Sequence, residues 1–379
     1  MGLSIDYSRS LNARTLMQGA ADSAALAALS KFEEAGSERI QIGKDAFQAN
    51  IASNGAQISA SPDVLLSETG ATVTASIVVE TVMLGLLNIQ QMEVGVTAQA
   101  VYAPKIGPVC VLALDRSADQ AIDIDGTATF AANDCVIHSN SRSDTALAAG
   151  GSTDAEADAF CAVGGHSGSG FTPEPEKNCS LVADPLADLE MPIASSCDYM
   201  SKSFNNGTHT ASPGVYCNGL RFTAGAVVTL DPGIYVIKDG PLTLNANSTV
   251  VGNGVVFVFM GSNAYLDLKA QSNITVSAPV SGEYTGLAFV QDPLSSADET
   301  SSIEGGGNLQ IDGAIYLPTQ ALKVGGEGEI GLLSDFMPII AETVKFHGNA
   351  QVTVNIDGAN DDEDDILTEV RTGTPRLIL

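Results

Sequence analysis

The chain has 379 residues, enough for two or three domains, and 44% of them are hydrophobic, which excludes wholesale disorder. Against 17 basic residues stand 45 acidic ones, a formal charge of −28 whose field repels phosphate backbones and anionic lipid and excludes a nucleic-acid track. With 5% aromatic residues, no Trp and 38 Gly, the core has to be built from small and β-branched side chains, which suits many short stacked strands.

Residues 3–35 read as one long helix, free of proline, with Gly19 as its only interior glycine. Leu3, Tyr7, Leu11 and Thr15 recur four residues apart, and after a polar break the stripe resumes through Ala21, Ala25, Ala28 and Phe32. Small residues on a helix allow close approach of another helix. Leu3, Tyr7, Leu11, Ala21, Ala25 and Ala28 are therefore the expected assembly face, the plain alternative being a helix docked on its own domain.

Residues 71–79 and 92–101 alternate with period two and are rich in β-branched side chains, as in a half-buried strand pair. Thr81–Leu87 between them is more apolar than an ordinary turn and reads as a buried connector packed on the helix.

All six cysteines, Cys110, Cys135, Cys161, Cys179, Cys197 and Cys217, fall in residues 108–217, where regular periodicity is weak and Gly- and Ser-rich connections are frequent. An even count without any C-x-x-C pair suggests three disulfides and an oxidising compartment, with all 15 pairings open. His138, His166, His209 and His347 show no ligand spacing, so no metal site and no cofactor is expected. Val182–Pro192 carries two prolines and no helical spacing, which predicts an extended crossing segment.

From Gly214 to Ile356 short strands alternate with Gly, Asn and Asp. Apolar steps recur at Leu242/Leu244, Leu266/Leu268, Leu309/Ile311, Leu322/Val324 and Val344/Phe346, with Gly-led strands beginning at Gly233, Gly254, Gly286 and Gly313. Irregular rungs of that length predict a β-helix, with a double-sheet sandwich as the alternative. The run Asp357–Asp365 is acidic without EF-hand spacing and reads as a solvated tail, weak calcium binding being the minority reading.

Chemistry-bearing motifs are incomplete. Gly165–Ser169 begins like a hydrolase elbow but has Ser169 where the second glycine belongs, and no helix pattern follows. Asp267, Asp312 and Glu342 lack partners at a consistent offset, which a polysaccharide-cleaving site would need. Gly252–Gly254 continues into a strand and fails as a phosphate loop. No run of 18 apolar residues and no basic-plus-apolar leader occurs in the sequence given.

The stretches Gly2–Arg9, Leu11–Arg14 and Gln18–Ala28 resemble the amino-terminal signature of the TadE/TadG-like proteins of tight-adherence (Flp) pilus assembly. The run Val182–Pro192 and the phrase Pro213–Leu220, echoed by Asp231–Ile237, are similar to recurring segments of that family. The resemblance implies a strand pair after the helix and, ahead of the signature, a hydrophobic membrane helix whose last residue would be about Met1–Gly2, so that the anchor is expected to have been cut off, processed away or missed in the gene start.

The expected fold is α+β, mainly β: a pilin-like helix over 1–38, a small sheet packed on it over 39–107, a disulfide-stapled loop-rich region over 108–215, a β-helix-like solenoid over 216–356 and an acidic tail over 357–379. The expected role is a non-enzymatic, exported structural subunit of Tad/Flp pilus assembly that scaffolds or adheres at the cell surface, held in the inner membrane before assembly. Expected partners are other pilin-like or pilus-assembly subunits or a second copy, with membrane contact only through the anchor ahead of this chain. The rival readings are a carbohydrate-binding adhesin presenting Tyr235, Tyr265 and Tyr316, and a β-helix polysaccharide-active enzyme.

Overall fold

The computed structural model describes every residue except 1, 31–34, 54–59, 68–69, 102–104, 128, 246, 270, 296–298, 306–308, 357–365, 367–368, 373–375 and 379. The chain is mainly β and forms two compact units, residues 1–105 with 373–379 and residues 106–372.

The smaller unit opens with α1 (Gly2–Ser30), followed by α2 (Gly36–Ser53). Strands β1 (Asp63–Leu66), β2 (Gly70–Glu80) and β3 (Gln91–Val101) then form an antiparallel sheet, completed by Arg376–Ile378 beside β3. The alternation read from sequence is realised: Val94, Val96, Ala98 and Ala100 of β3 are buried while their neighbours are largely exposed. Ala20, Ala21, Ala24, Ala25 and Ala28 of α1 share a core with Phe47, Ile51, Val73 and Ala98. A Cβ at Gly43 would lie 3.2 Å from the Ala24 carbonyl oxygen, so glycine there lets the two helices approach closely.

Helix α2 was not expected, since 39–107 read as sheet alone. Its signal is present: Arg39, Gly43, Phe47 and Ile51 recur every fourth residue and are all buried. Phe32, expected on the helical stripe, lies outside the described residues, as do the Leu3 side chain and the acidic run 357–365.

The larger unit is a stack of parallel strands in which each turn of the chain pairs with its neighbour. Three side-chain columns run through its interior. One follows Tyr235, Phe257, Phe289, Ile315 and Ile339, then continues into Val111, Ile137 and Phe160. A second passes Leu244, Leu268, Ile303, Val324, Phe346 and Ile124. The third includes Val250, Ile274 and Leu309, and further along Val352 and Phe130. The apolar steps read from sequence are the inward positions of these columns.

The columns expose a connectivity that no local pattern predicts. Residues 105–177 build turns at one end, and the chain then crosses to the opposite end at Tyr199. It returns turn by turn until Ile339–Val354 lies beside Lys105–Ala113, closing the stack in its middle. The expected boundary at 216 therefore falls inside one compact unit, whereas the expected one at 108 lies within a few residues of the division between Lys105 and Ile106. The cysteine region is not loop-rich either, because strands such as Thr129–Ser139 and Asp154–Ala162 run through it. Bulges between Ala132 and Val136 and between Val109 and Val111 hid their alternation. Nor is 357–379 wholly a tail, since Glu369–Thr372 and Arg376–Ile378 are strands.

The crossing segment, residues 180–196, has no helix or strand and lies on the outer face of the stack. It covers a column of outward side chains, Val236, Val258, Val290, Tyr316, Ile340 and Leu112, which are buried despite pointing away from the interior. Side chains from successive turns hold it: Asn140 exchanges two hydrogen bonds with the Val182 backbone at 2.8 and 2.9 Å, and the Tyr316 hydroxyl donates to Asp184 at 2.8 Å. The Tyr284 hydroxyl reaches the Glu190 carbonyl and Lys238 Nζ the Ala194 carbonyl, both at 2.8 Å.

His138 continues the covered column between Leu112 and Cys161 and is 1% exposed, with the Asn140 side chain as a weak polar neighbour. Burial holds its pKa down at about 4, against an ordinary 6.5. Between those values the unfolded chain binds a proton that the folded chain refuses, so stability is complete above pH 6.5 and falls towards pH 4. The loss is roughly 3 kcal/mol for this group alone. Urea midpoints at pH 7 and pH 4.5 should fall by less in His138→Leu than in the parent chain. An equal fall in both would show that other groups carry the acid sensitivity.

Candidate assembly surface

Of the six helix positions expected to form one assembly face, the five whose side chains are described divide in two. Ala21, Ala25 and Ala28 are fully buried in the smaller unit's own core, where they meet α2 and the sheet, and are closed to any other helix. Tyr7 and Leu11 are exposed, at 60% and 43%. The change falls near Gln18, where the polar break in the sequence marks the end of the free segment: Gln18 Nε2 donates to Asp22 and to the Thr97 carbonyl.

The exposed start of α1 adjoins the β2–β3 connector. Asp6, 2% exposed, turns its carboxylate onto three backbone amides of that connector: Val82 N–H donates to Oδ1 at 2.9 Å, and Met83 and Leu84 N–H donate to Oδ2 at 2.8 Å each. Leu84–Leu87 form a single 3-10 turn, closed by Asn88 in the left-handed region. Sequence reading expected this connector to be buried. Instead Leu86 and Leu87 are 83% and 66% exposed, and Val82, Met83 and Ile89 are exposed with them. The hairpin is too long for its tip to reach the core: β2 and β3 pair over eleven residues, and burial fades towards Glu80 and Gln91.

The amides of Val82 and Leu84 hold the Asp6 carboxyl below the ordinary 3.8. A depressed carboxyl pKa stabilises the fold above its unfolded value and loses that contribution as pH falls through the folded one, so the clamp persists to below pH 3.8. In Asp6→Asn one accepting oxygen becomes a donor facing a donor. Hydrogen exchange at Val82–Leu84 is expected to accelerate about tenfold or more, with the amides of β2 and β3 unchanged. Unchanged exchange at the tip would show that the 3-10 turn stands without the clamp.

The other candidate positions are occupied. The cysteines pair sequentially, Cys110–Cys135, Cys161–Cys179 and Cys197–Cys217, with Cα separations of 5.7, 5.9 and 5.7 Å. This settles the pairing that spacing left open. The cysteines of the Cys161, Glu176 and Cys179 cluster are spent in one of these bridges and offer a cation no thiolate. Tyr235 and Tyr316 are fully buried and Tyr265 is half-buried, so they present no exposed aromatic row for a sugar.

Asp267 is engaged by Lys269 at 2.7 Å, and Asp312 accepts the Asp335 amide. Burial first and Asp115 second push the Glu342 carboxyl up. A cleft of about 360 Å³ beside the crossing segment is lined by Arg116, Asn140, Asp184 and Tyr316, but Asp184 is already taken by the Tyr316 hydroxyl and Asn140 by the Val182 backbone. His166–Gly168 is a strand in the parallel stack rather than a strand-to-helix elbow. At the free end of the stack, the Lys202 ammonium lies 4.9 Å from the Phe204 ring centroid, a charged cap over an unpaired edge. No helix among the described residues is long and apolar enough to cross a membrane.

Comparison with curated proteins and with solved structures returns no match. Two family models do match. Residues 1–35 match "Putative Flp pilus-assembly TadE/G-like", on the segment that carried the sequence resemblance. Residues 171–363, just over half of the chain, match "Domain of unknown function (DUF7305)" and take in the crossing segment and all the returning turns. The chain thus belongs to the DUF7305 family and carries a TadE/G-like Flp pilus-assembly segment at its amino terminus.

Proposed function

We propose that this protein is a non-enzymatic, exported structural subunit of Tad/Flp pilus assembly, scaffolding or adhering at the cell surface. The observation that carries this reading is the TadE/G-like match over residues 1–35, coinciding with a helix whose first half leaves Tyr7 and Leu11 exposed. Three disulfides support an oxidising compartment and hence export. We read the parallel stack as a β-helix-like body, whose turn-on-turn burial makes a rigid, protease-resistant support. Tyr7 and Leu11 supply the contact to a pilin-like partner. Asp267 and Asp312 are engaged by neighbours and Tyr235 and Tyr316 are buried, which favours the scaffold over both rival readings.

The test is export and contact in a cell that carries the Tad machinery. Surface labelling should detect the protein in the intact strain and lose it when the secretion ATPase is deleted. A photo-crosslinker replacing Tyr7 or Leu11 should capture another assembly subunit, whereas one replacing the buried Ala25 should not. Surface exposure independent of the ATPase, or turnover of a polysaccharide by the purified chain, would overturn the reading.

A further inference from the structure

The β2–β3 tip has a combination of properties that the pilus reading does not use. From Thr81 to Met92 there is no charged residue, in a chain whose formal charge is −28. Val82, Met83, Leu86, Leu87 and Ile89 all face solvent there, and Ile5, the residue before the clamping Asp6, is 50% exposed. An apolar loop of this kind is a contact surface. What covers it is decided by its backbone.

The tip has turned seven of its backbone amides inward. The amides of Val82, Met83 and Leu84 are taken by Asp6. Those of Thr81, Leu86, Asn88 and Ile89 go to carbonyls of the same turn, and the Thr81 hydroxyl covers the Ile89 carbonyl. A protein partner can satisfy exposed amides, so a protein-docking loop has no need to close so many. The hydrocarbon of a bilayer offers no such partners, and a loop entering it must bring its own. At the rim stands Arg9, whose Nη1 lies 3.5 Å from the Glu80 carbonyl, a residue type that settles at headgroup depth.

We propose that the Val82–Ile89 tip, with Ile5, inserts into the interfacial layer of a phospholipid bilayer with zwitterionic headgroups. The uncharged tip gains nothing from an anionic surface, and the acidic chain behind it is repelled by one. This contact is separate from any hydrophobic helix ahead of the chain. It is independent of the pilus reading, because it is tested on the purified chain alone.

The chain has no Trp, so a single introduced one reports its own surroundings. Leu86→Trp should shift its emission to the blue on addition of phosphatidylcholine vesicles and be quenched by brominated acyl chains. Leu294→Trp, at a position 93% exposed in the larger unit, should do neither. Leu86→Asp/Leu87→Asp should lower cosedimentation with the same vesicles by about tenfold or more while leaving the thermal transition unchanged. Unchanged Leu86→Trp emission, or equal responses from both tryptophans, would overturn the proposal. So would a blue shift that depends on protein concentration and needs no vesicles, since a second copy would then be what covers the tip.

Discussion

Gly126→Val is expected to destabilise the parallel stack by about 4 kcal/mol and to lower its melting temperature by roughly 10 °C. Gly126 has φ +107°, and a Cβ there would lie 2.4 Å from the Gly348 carbonyl oxygen and 3.0 Å from its amide nitrogen. Gly348 in turn has φ +90°, with a Cβ position 2.8 Å from the Gly326 oxygen, and a Cβ at Gly151 would meet the Gly126 oxygen at 2.2 Å. Backbone thus stacks directly on backbone through four successive turns. The atoms in the way are carbonyls in the ladder, so no side chain can swing aside. The left-handed φ contributes about 1–2 kcal/mol and the forced displacement about 1–3 kcal/mol. The site matters because Gly126 belongs to the first turns of the unit and Gly348 to the last, so the clash opens the joint that closes the stack. Gly207→Ala separates the two terms: φ is +72° there but nothing lies within 4 Å, and its cost should be only about 1 kcal/mol. Equal losses from both variants would mean that conformational strain, not stacking, sets the effect.

That joint also explains which parts of the fold were legible in the sequence. Inward positions announce themselves locally: Leu242/Leu244, Leu266/Leu268 and Val344/Phe346 repeat an apolar step that one turn of chain must bury, and each pair is buried. The order in which turns stack carries no such mark. Val111 is as apolar as Ile315, and nothing local says that both neighbour Ile339. The helix face was half legible for a related reason. Leu3, Tyr7, Leu11, Ala21, Ala25 and Ala28 form one stripe by periodicity, but α2 covers only its alanine part. The spacing of Arg39, Gly43, Phe47 and Ile51 held that answer. The tip was misread because apolar composition was equated with burial, whereas the length of the hairpin places it beyond the core.

Breaking both bridges that end the crossing segment should release it while the interior of the stack persists. Cys179 is tied to Cys161 and Cys197 to Cys217, so residues 180–196 are fixed at each end to turns at opposite ends of the unit. Each bridge closes a loop, with sequence separations of 18 and 20, for which unfolded-state entropy gives roughly 3 kcal/mol. Losing either one should lower the transition by about 6–12 °C. The segment's remaining hold is the covered valine column and the bonds from Asn140, Tyr316, Tyr284 and Lys238, all made by the side chains of separate turns. Those contacts are local, so with both ends free the segment opens without unwinding the turns beneath. Residues 180–196 contain no Lys or Arg, and thermolysin rather than trypsin is the probe. Cleavage within Leu181–Ile193 is expected at a rate at least about tenfold higher in the variant carrying Cys161→Ala, Cys179→Ala, Cys197→Ala and Cys217→Ala. The turns from Tyr199 onward should survive as a resistant fragment. A variant that keeps the segment resistant would show that apolar burial alone holds it. One that loses the whole unit to the protease would show that the crossing segment and the stack fold as a single cooperative element, with the covered column as much a part of the core as the three columns inside.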